Sequence, residues 1–241
     1  MTDIDPQLAV AALAEKYMTG ATPVVIGSPP EGPVSGVQVP SRRSFAAWTV
    51  LREALPRTGA WPVVIGSAPR LPSLGPEAPS VESILASAAE VDLRQWAQER
   101  AGGAPDHLAA PAADWPAVRP GEAFRVLGEL ARQGEEAVIA LVPTDLPHHV
   151  PAHLRFGGWN DCPPPAVHVA VLREWHERFA AEPVVMTADT LELLVRRPVS
   201  SPVEALELAR LQRLYRGHLV DGVEVLAAGL LGNPRWFFRW E

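Results

Sequence analysis

Residues 157–179, GGWNDCPPPAVHVAVLREWHERF, hold the chain's only cysteine, Cys162, with His168 six residues further on. A thiolate beside an imidazole base is a nucleophile, and the Asn160 amide or neighbouring backbone N–H groups could stabilise the oxyanion it forms. Proline is favoured at the first helical position, where its missing N–H costs nothing. With Pro163 there, Cys162 is the N-cap; with Pro164 or Pro165 there, it lies one or two residues outside. Either way the thiol stands near the positive end of a helix, which favours thiolate. Helical geometry argues against a local pair. Six positions along a helix turn a side chain about 120° away and carry it about 9 Å down the axis, whereas nucleophile and base meet at about 3 Å. His168 lines up instead with Leu172, Trp175 and Phe179, a core-facing stripe. The expectation is a buried, hydrogen-bonded His168 and a small, half-buried Cys162. Cys162, His168 and Asn160 remain the candidate catalytic residues.

Around them stand candidate binding residues. Trp159, after two glycines, is a lid on the core or a pocket wall, and Asp161 can satisfy turn amides before the helix. Asp189 and Thr190 fall at a hairpin turn in MTADTLELLV. In the closing RWFFRW, alternation puts Trp236, Phe238 and Trp240 on one side. Arg235, Trp236 and Trp240 there form a core strand or an aromatic, cationic partner surface. His148, His149 and His153 suggest a metal, but Pro151 is expected to break the helical spacing of the last two, so no metal site is assigned. Gly-rich phosphate loops and the GxSxG elbow are absent, and no cofactor is implied.

The elements that must position these residues follow from pattern. TPVVIGS (22–28), SGVQVP (35–40), WPVVIG (61–66), EEAVIALVP (135–143), PVVMT, TLELLV and the closing aromatics read as strands. Helices are expected from Leu8 to Met18 with Asp5 as cap, from Ser44 to Leu55, from Ser80 to about Arg100, from Glu122 to Gln133, over about 164–181, from Ser201 to Tyr215 and in VEVLAAGLLG. VLREALPRTGAWPVV (50–64) aligns without gaps to VLREWHERFAAEPVV (171–185), at a constant offset of 121 residues. The fold expected is α+β, with helices packed on mixed β-sheet, and the alignment suggests two similar α/β halves from an internal duplication. The N-terminal half is 1–103, a Pro/Ala/Gly-rich linker 104–121, and the C-terminal half 122–241, with a ligand crevice between the halves.

At 241 residues and 47% hydrophobic content, the chain can bury a sizeable core. A net charge of −7 and a single lysine among its cations argue against nucleic-acid binding. No apolar run is long enough to span a bilayer. A lone cysteine and the absence of a secretory leader suggest the cytoplasm.

From about Leu154 to Glu241 the chain resembles a bacterial family known as domain of unknown function 4253. The strings that carry the resemblance are GGWNDCPPPAVHVAVLREWHERF, AEPVVMTADTLELLVRRP, EALELARLQRLY and WFFRWE. The resemblance marks Trp159, Asn160, Cys162, Pro163, His168, Asp189 and Thr190 as hallmarks and lends no activity. The family pattern has a second cysteine after the tyrosine, where Arg216 stands here. Two functions follow from these readings: a cytoplasmic accessory or immunity-type protein that binds a protein partner, or a thiol-dependent hydrolase or transferase. A small molecule between the halves is a third.

Overall fold

Capping residues start several of the helices. A computed structural model describes residues 4–16, 18, 20–26, 34–68, 79–102, 111–118, 124–217 and 222–241. Asp5 caps α1 (Pro6–Glu15) by accepting from the Gln7 N–H. The first two strands, β1 (Thr22–Ile26) and β2 (Val34–Pro40), precede α2 (Ser44–Glu53), a one-turn α3 (Leu55–Thr58) and β3 (Trp61–Gly66). Ser80 caps α4 (Val81–Ala89) through the Ser83 N–H. The helix expected to run on to Arg100 stops there. Asp92 is extended and its carboxylate accepts from the Arg94 and Gln95 N–H groups, starting α5 (Leu93–Ala101) as a separate helix.

After α6 (Arg125–Gln133) and β4 (Glu136–Val142) comes α7 (Val150–Leu154). Pro151 occupies its first turn, where proline starts a helix rather than breaking one. The remainder is α8 (Pro165–Phe179), β5 (Ala181–Met186), β6 (Thr190–Val195), α9 (Pro202–Arg216), α10 (Val223–Leu230) and β7 (Arg235–Arg239). The turn SPPEGP, the middle of the loop after β3, residues 104–110 and 119–121 of the expected linker, and residues 218–221 lie outside the described residues.

The fold is α+β: helices packed on one seven-stranded mixed sheet of order β1-β2-β4-β3-β5-β6-β7. Every adjacent pair is antiparallel except β3 with β5. The central strands β4, β3 and β5 are buried almost throughout, which their unbroken β-branched runs require. The two PVV segments that align in sequence are neighbours in the sheet, and the registered pair between them is Val64 with Val185. The boundary at 104–121 does not divide the sheet, because β4, which follows it, stands between β2 and β3.

Side chains tie the two parts further. Trp61 on β3 donates to the Pro183 carbonyl on β5 at 3.3 Å. Glu182 on β5, almost fully buried, accepts from Arg52 on α2 at 2.8 Å and from Arg196 at 3.0 Å. A buried carboxylate is tolerated only with partners of this kind.

Candidate functional site

The loop between α7 and α8 is built on left-handed backbone. Arg155 ends α7 at φ 48°, and Gly157, Gly158 and Asn160 follow at φ 102°, 87° and 46°. The Gly158 N–H donates to the Pro163 carbonyl at 2.9 Å, and the Cys162 N–H to the Trp159 carbonyl at 2.9 Å. These bonds close a tight turn. Pro165 is the first helical residue and Pro164 the extended cap (φ −67°, ψ 158°), so Cys162 lies two residues outside the helix.

That position overturns the expectation that cysteine and histidine stay apart. Cys162 Sγ is 3.4 Å from His168 Nε2. The helical rotation argument counted six helical steps, but residues 162–164 are not helical, and the turn carries the thiol back over the first turn of α8. His168 Nδ1 in turn lies 2.5 Å from the Tyr215 hydroxyl at the end of α9. With Nδ1 protonated and donating to Tyr215, Nε2 can accept the thiol proton; in the other tautomer both roles reverse.

The cluster is buried: Cys162 is 4% exposed, and His168 and Tyr215 are 0%. Phe156, Tyr215 and Trp240 meet the imidazole edge-on, with ring centroids 4.8, 5.2 and 5.3 Å away. Burial pushes the Cys162 thiol up to about 12, against the opposing pull of the Gly158 N–H and the Arg100 charge. Burial drives His168 down to about 3, with the Pro163 carbonyl acting the other way. Tyr215 is raised by burial and by the neighbouring thiol. All three groups are therefore neutral at pH 7.

The other expected site residues divide into three places. Trp159 is half-buried and meets Phe156 edge-on at 5.4 Å, a lid on the cluster. Asn160 is exposed and its amide donates to the Glu241 carbonyl at 3.1 Å, so it fastens the loop to the last residue and is not directed at the thiol. Asp161 is exposed, and its carbonyl accepts from Arg100 Nη2 at 2.6 Å. Trp240 packs on His168 and donates from its indole to the Tyr215 carbonyl at 3.1 Å.

Asp189 and Thr190 form a clasp beside this. Asp189 accepts from the Thr187 and Thr190 hydroxyls and from Arg239 Nε at 3.1 Å, and its carbonyl receives the Trp240 N–H. Arg235 and Trp236 lie at the opposite end of β7. Trp236 and Trp240 are each 2% exposed and Phe238 is fully buried, so these three closing aromatics are core, while Phe237 on the other side of β7 is half-buried. Arg235 lines a cleft of about 210 Å³ with Ser41, Arg42, Phe45, Phe124 and Leu127, residues drawn from both sides of the 104–121 segment.

Sequence reasoning missed Tyr215, Phe156 and Arg100 as members of the site. Tyr215 carried a signal, as the last residue of the quoted EALELARLQRLY string. His148 and His149 meet edge-on at 4.7 Å, and burial first of all lowers His148 and His153, each to about 4. Among the described residues no group of three or more His, Cys, Asp or Glu side chains could hold a metal ion, and no helix is long and apolar enough to cross a membrane.

No curated protein and no solved structure matches the chain. Residues 138–241, which hold every member of this cluster except Arg100, match the family model described as domain of unknown function (DUF4253).

Proposed function

We propose that the protein carries out thiol chemistry at Cys162, with His168 as its base and Tyr215 as the group that orients the imidazole. The observation that carries this is the contact series Sγ to Nε2 at 3.4 Å and Nδ1 to the Tyr215 hydroxyl at 2.5 Å. Nucleophile, base and orienting group in that order are what acyl transfer needs. In such a reaction His168 Nε2 takes the thiol proton as Sγ bonds to the carbonyl carbon. The tetrahedral adduct then expels its leaving group, which receives the proton from His168. Water completes a hydrolase and a second nucleophile completes a transferase.

The site as it stands is shut. A substrate reaches Cys162 only when the Gly157–Asp161 segment swings aside and leaves the thiol beside His168, a motion of the kind that gates many enzymes. Opening and activation are coupled, because burial is the main cause of the raised thiol pKa. The accessory reading placed its partner surface on the closing aromatics and the Trp159 loop; burial of Trp236, Phe238 and Trp240 weakens the first of these. The cleft lined by Arg42 and Arg235 supports a further role for a small anionic ligand between the two parts of the chain. A reducing, cytoplasmic setting belongs to the same proposal, since it keeps a lone thiol reduced.

The test is the pH dependence of Cys162 alkylation by iodoacetamide, folded against an unfolded control. One cysteine makes the signal unambiguous. Slow labelling with an inflection well below about 8.5 is expected, from a thiolate formed beside His168 in the open state. An inflection equal to that of the unfolded control would mean an ordinary thiol released by opening, and the enzyme reading would fall.

A further inference from the structure

We infer that Arg100 is a positioning residue for Cys162: it pins the cysteine loop to the end of α9 and sets a positive charge beside the thiolate. This rests on the thiol reading above. Helix α5 buries none of its residues, yet the arginine in its last turn reaches two other elements. Arg100 Nε donates to the Leu214 carbonyl at 2.6 Å and Nη2 to the Asp161 carbonyl at 2.6 Å. Leu214 precedes Tyr215, and Asp161 precedes Cys162. One guanidinium thus bridges the residue before the orienting group and the residue before the nucleophile, in the fixed fork geometry that lysine lacks.

The surrounding backbone leaves room for it. Gly217, at φ +82° just past α9, would with a Cβ stand 3.0 Å from Asp161 Cβ and 3.2 Å from Arg100 Nη2. Both acceptors of the guanidinium are main-chain carbonyls, and neither neutralises its charge. That charge lies close enough to Cys162 to favour its ionised form. Its effect grows once the loop opens and burial no longer opposes thiolate. Loop hold and thiolate charge are therefore two effects of one side chain, and they can be separated.

The experiment compares wild type, Arg100→Gln and Arg100→Lys as full chains, measuring Cys162 alkylation by iodoacetamide from pH 6 to 10, with urea unfolding as a control. Loss of a charged hydrogen-bond pair predicts about tenfold faster labelling in the glutamine variant, with its inflection moved up by about half a pH unit. Lysine keeps the charge without the fork, so it restores the inflection and not the slow rate. Since no residue of α5 is fully buried, the urea midpoint is expected to move little. Unchanged rate and inflection in Arg100→Gln would overturn the assignment. Faster labelling with an unmoved inflection would make Arg100 a clamp and remove it from the thiolate chemistry. A wild-type inflection equal to the unfolded control would sink the thiol reading, whereas a faster glutamine variant would still preserve the clamp.

Discussion

Gly157 shows how closely the imidazole is packed. A methyl group at this position would fall 2.1 Å from the Pro163 carbonyl oxygen and 2.5 Å from His168 Nε2, and φ there is +102°. Neither neighbour is the free end of a flexible chain. Gly157→Ala is therefore expected to lower stability by about 3 kcal/mol or more, combining backbone strain with a steric clash. Urea unfolding measures this, and a loss under about 1 kcal/mol would mean that the loop relaxes freely. The sequence made Asp161 legible as a turn residue and His168 as a buried residue with a partner. It did not reveal the partner. Tyr215 lies 47 residues away, and no local spacing encodes such a contact. The Cys162–His168 contact was missed for a different reason: the residues were legible, but the rotation argument assumed a helix that begins three residues later.

Among the elements, α6 starts without a local side-chain cap. Its N-cap, Phe124, has no side chain able to cap. The capping group is Glu192, from the middle of β6, whose carboxylate accepts from the Arg125 N–H at 2.6 Å and the Val126 N–H at 3.2 Å. The carboxyl is raised chiefly by burial, with the two amides and the Arg125 charge opposing. A raised carboxyl holds its proton longer folded than unfolded. Its contribution is thus fullest in acid and declines as pH rises through the folded value. The two N–H groups fall on different carboxylate oxygens, so Glu192→Gln keeps one acceptor, turns an NH2 toward the other N–H and is expected to lose part of the cap. Glu192→Ala should cost about 1–2 kcal/mol and speed hydrogen exchange at the Arg125 and Val126 amides in particular. Equal effects from the two variants would make packing, and not capping, the role of this side chain. Asp5 and Ser80 were legible as caps because an N-cap acts within three residues of itself. Glu192 acts across 67, and alternation along TLELLV shows only that it faces away from Leu191, Leu193 and Val195.

At the scale of the whole molecule, the strand runs were legible, and the two PVV segments that align in sequence lie side by side at Val64 and Val185. Strand order was not legible. Periodicity fixes which face of a strand is apolar and leaves its neighbours open, so the return of β4 to a place between β2 and β3 carried no sequence signal. That insertion predicts how the chain behaves when cut. A fragment of residues 124–241 keeps β4, but both strands that hydrogen-bond to it are gone. It keeps β5 with one of its two neighbours, leaving a buried apolar strand as an open edge. It also leaves Glu182 without Arg52, one of the two cations that hold that carboxylate. The matched family segment, 138–241, has the same gap, because β3 stands between its first two strands in the sheet. The fragment is therefore expected to aggregate or to remain loosely packed, with a poorly dispersed amide spectrum and no cooperative melt. A monomeric fragment with dispersed amides and a sharp transition would mean that β4 can pair with β5 directly. The C-terminal part would then be a domain able to fold alone, carrying Cys162, His168 and Tyr215 without the Arg100 clamp.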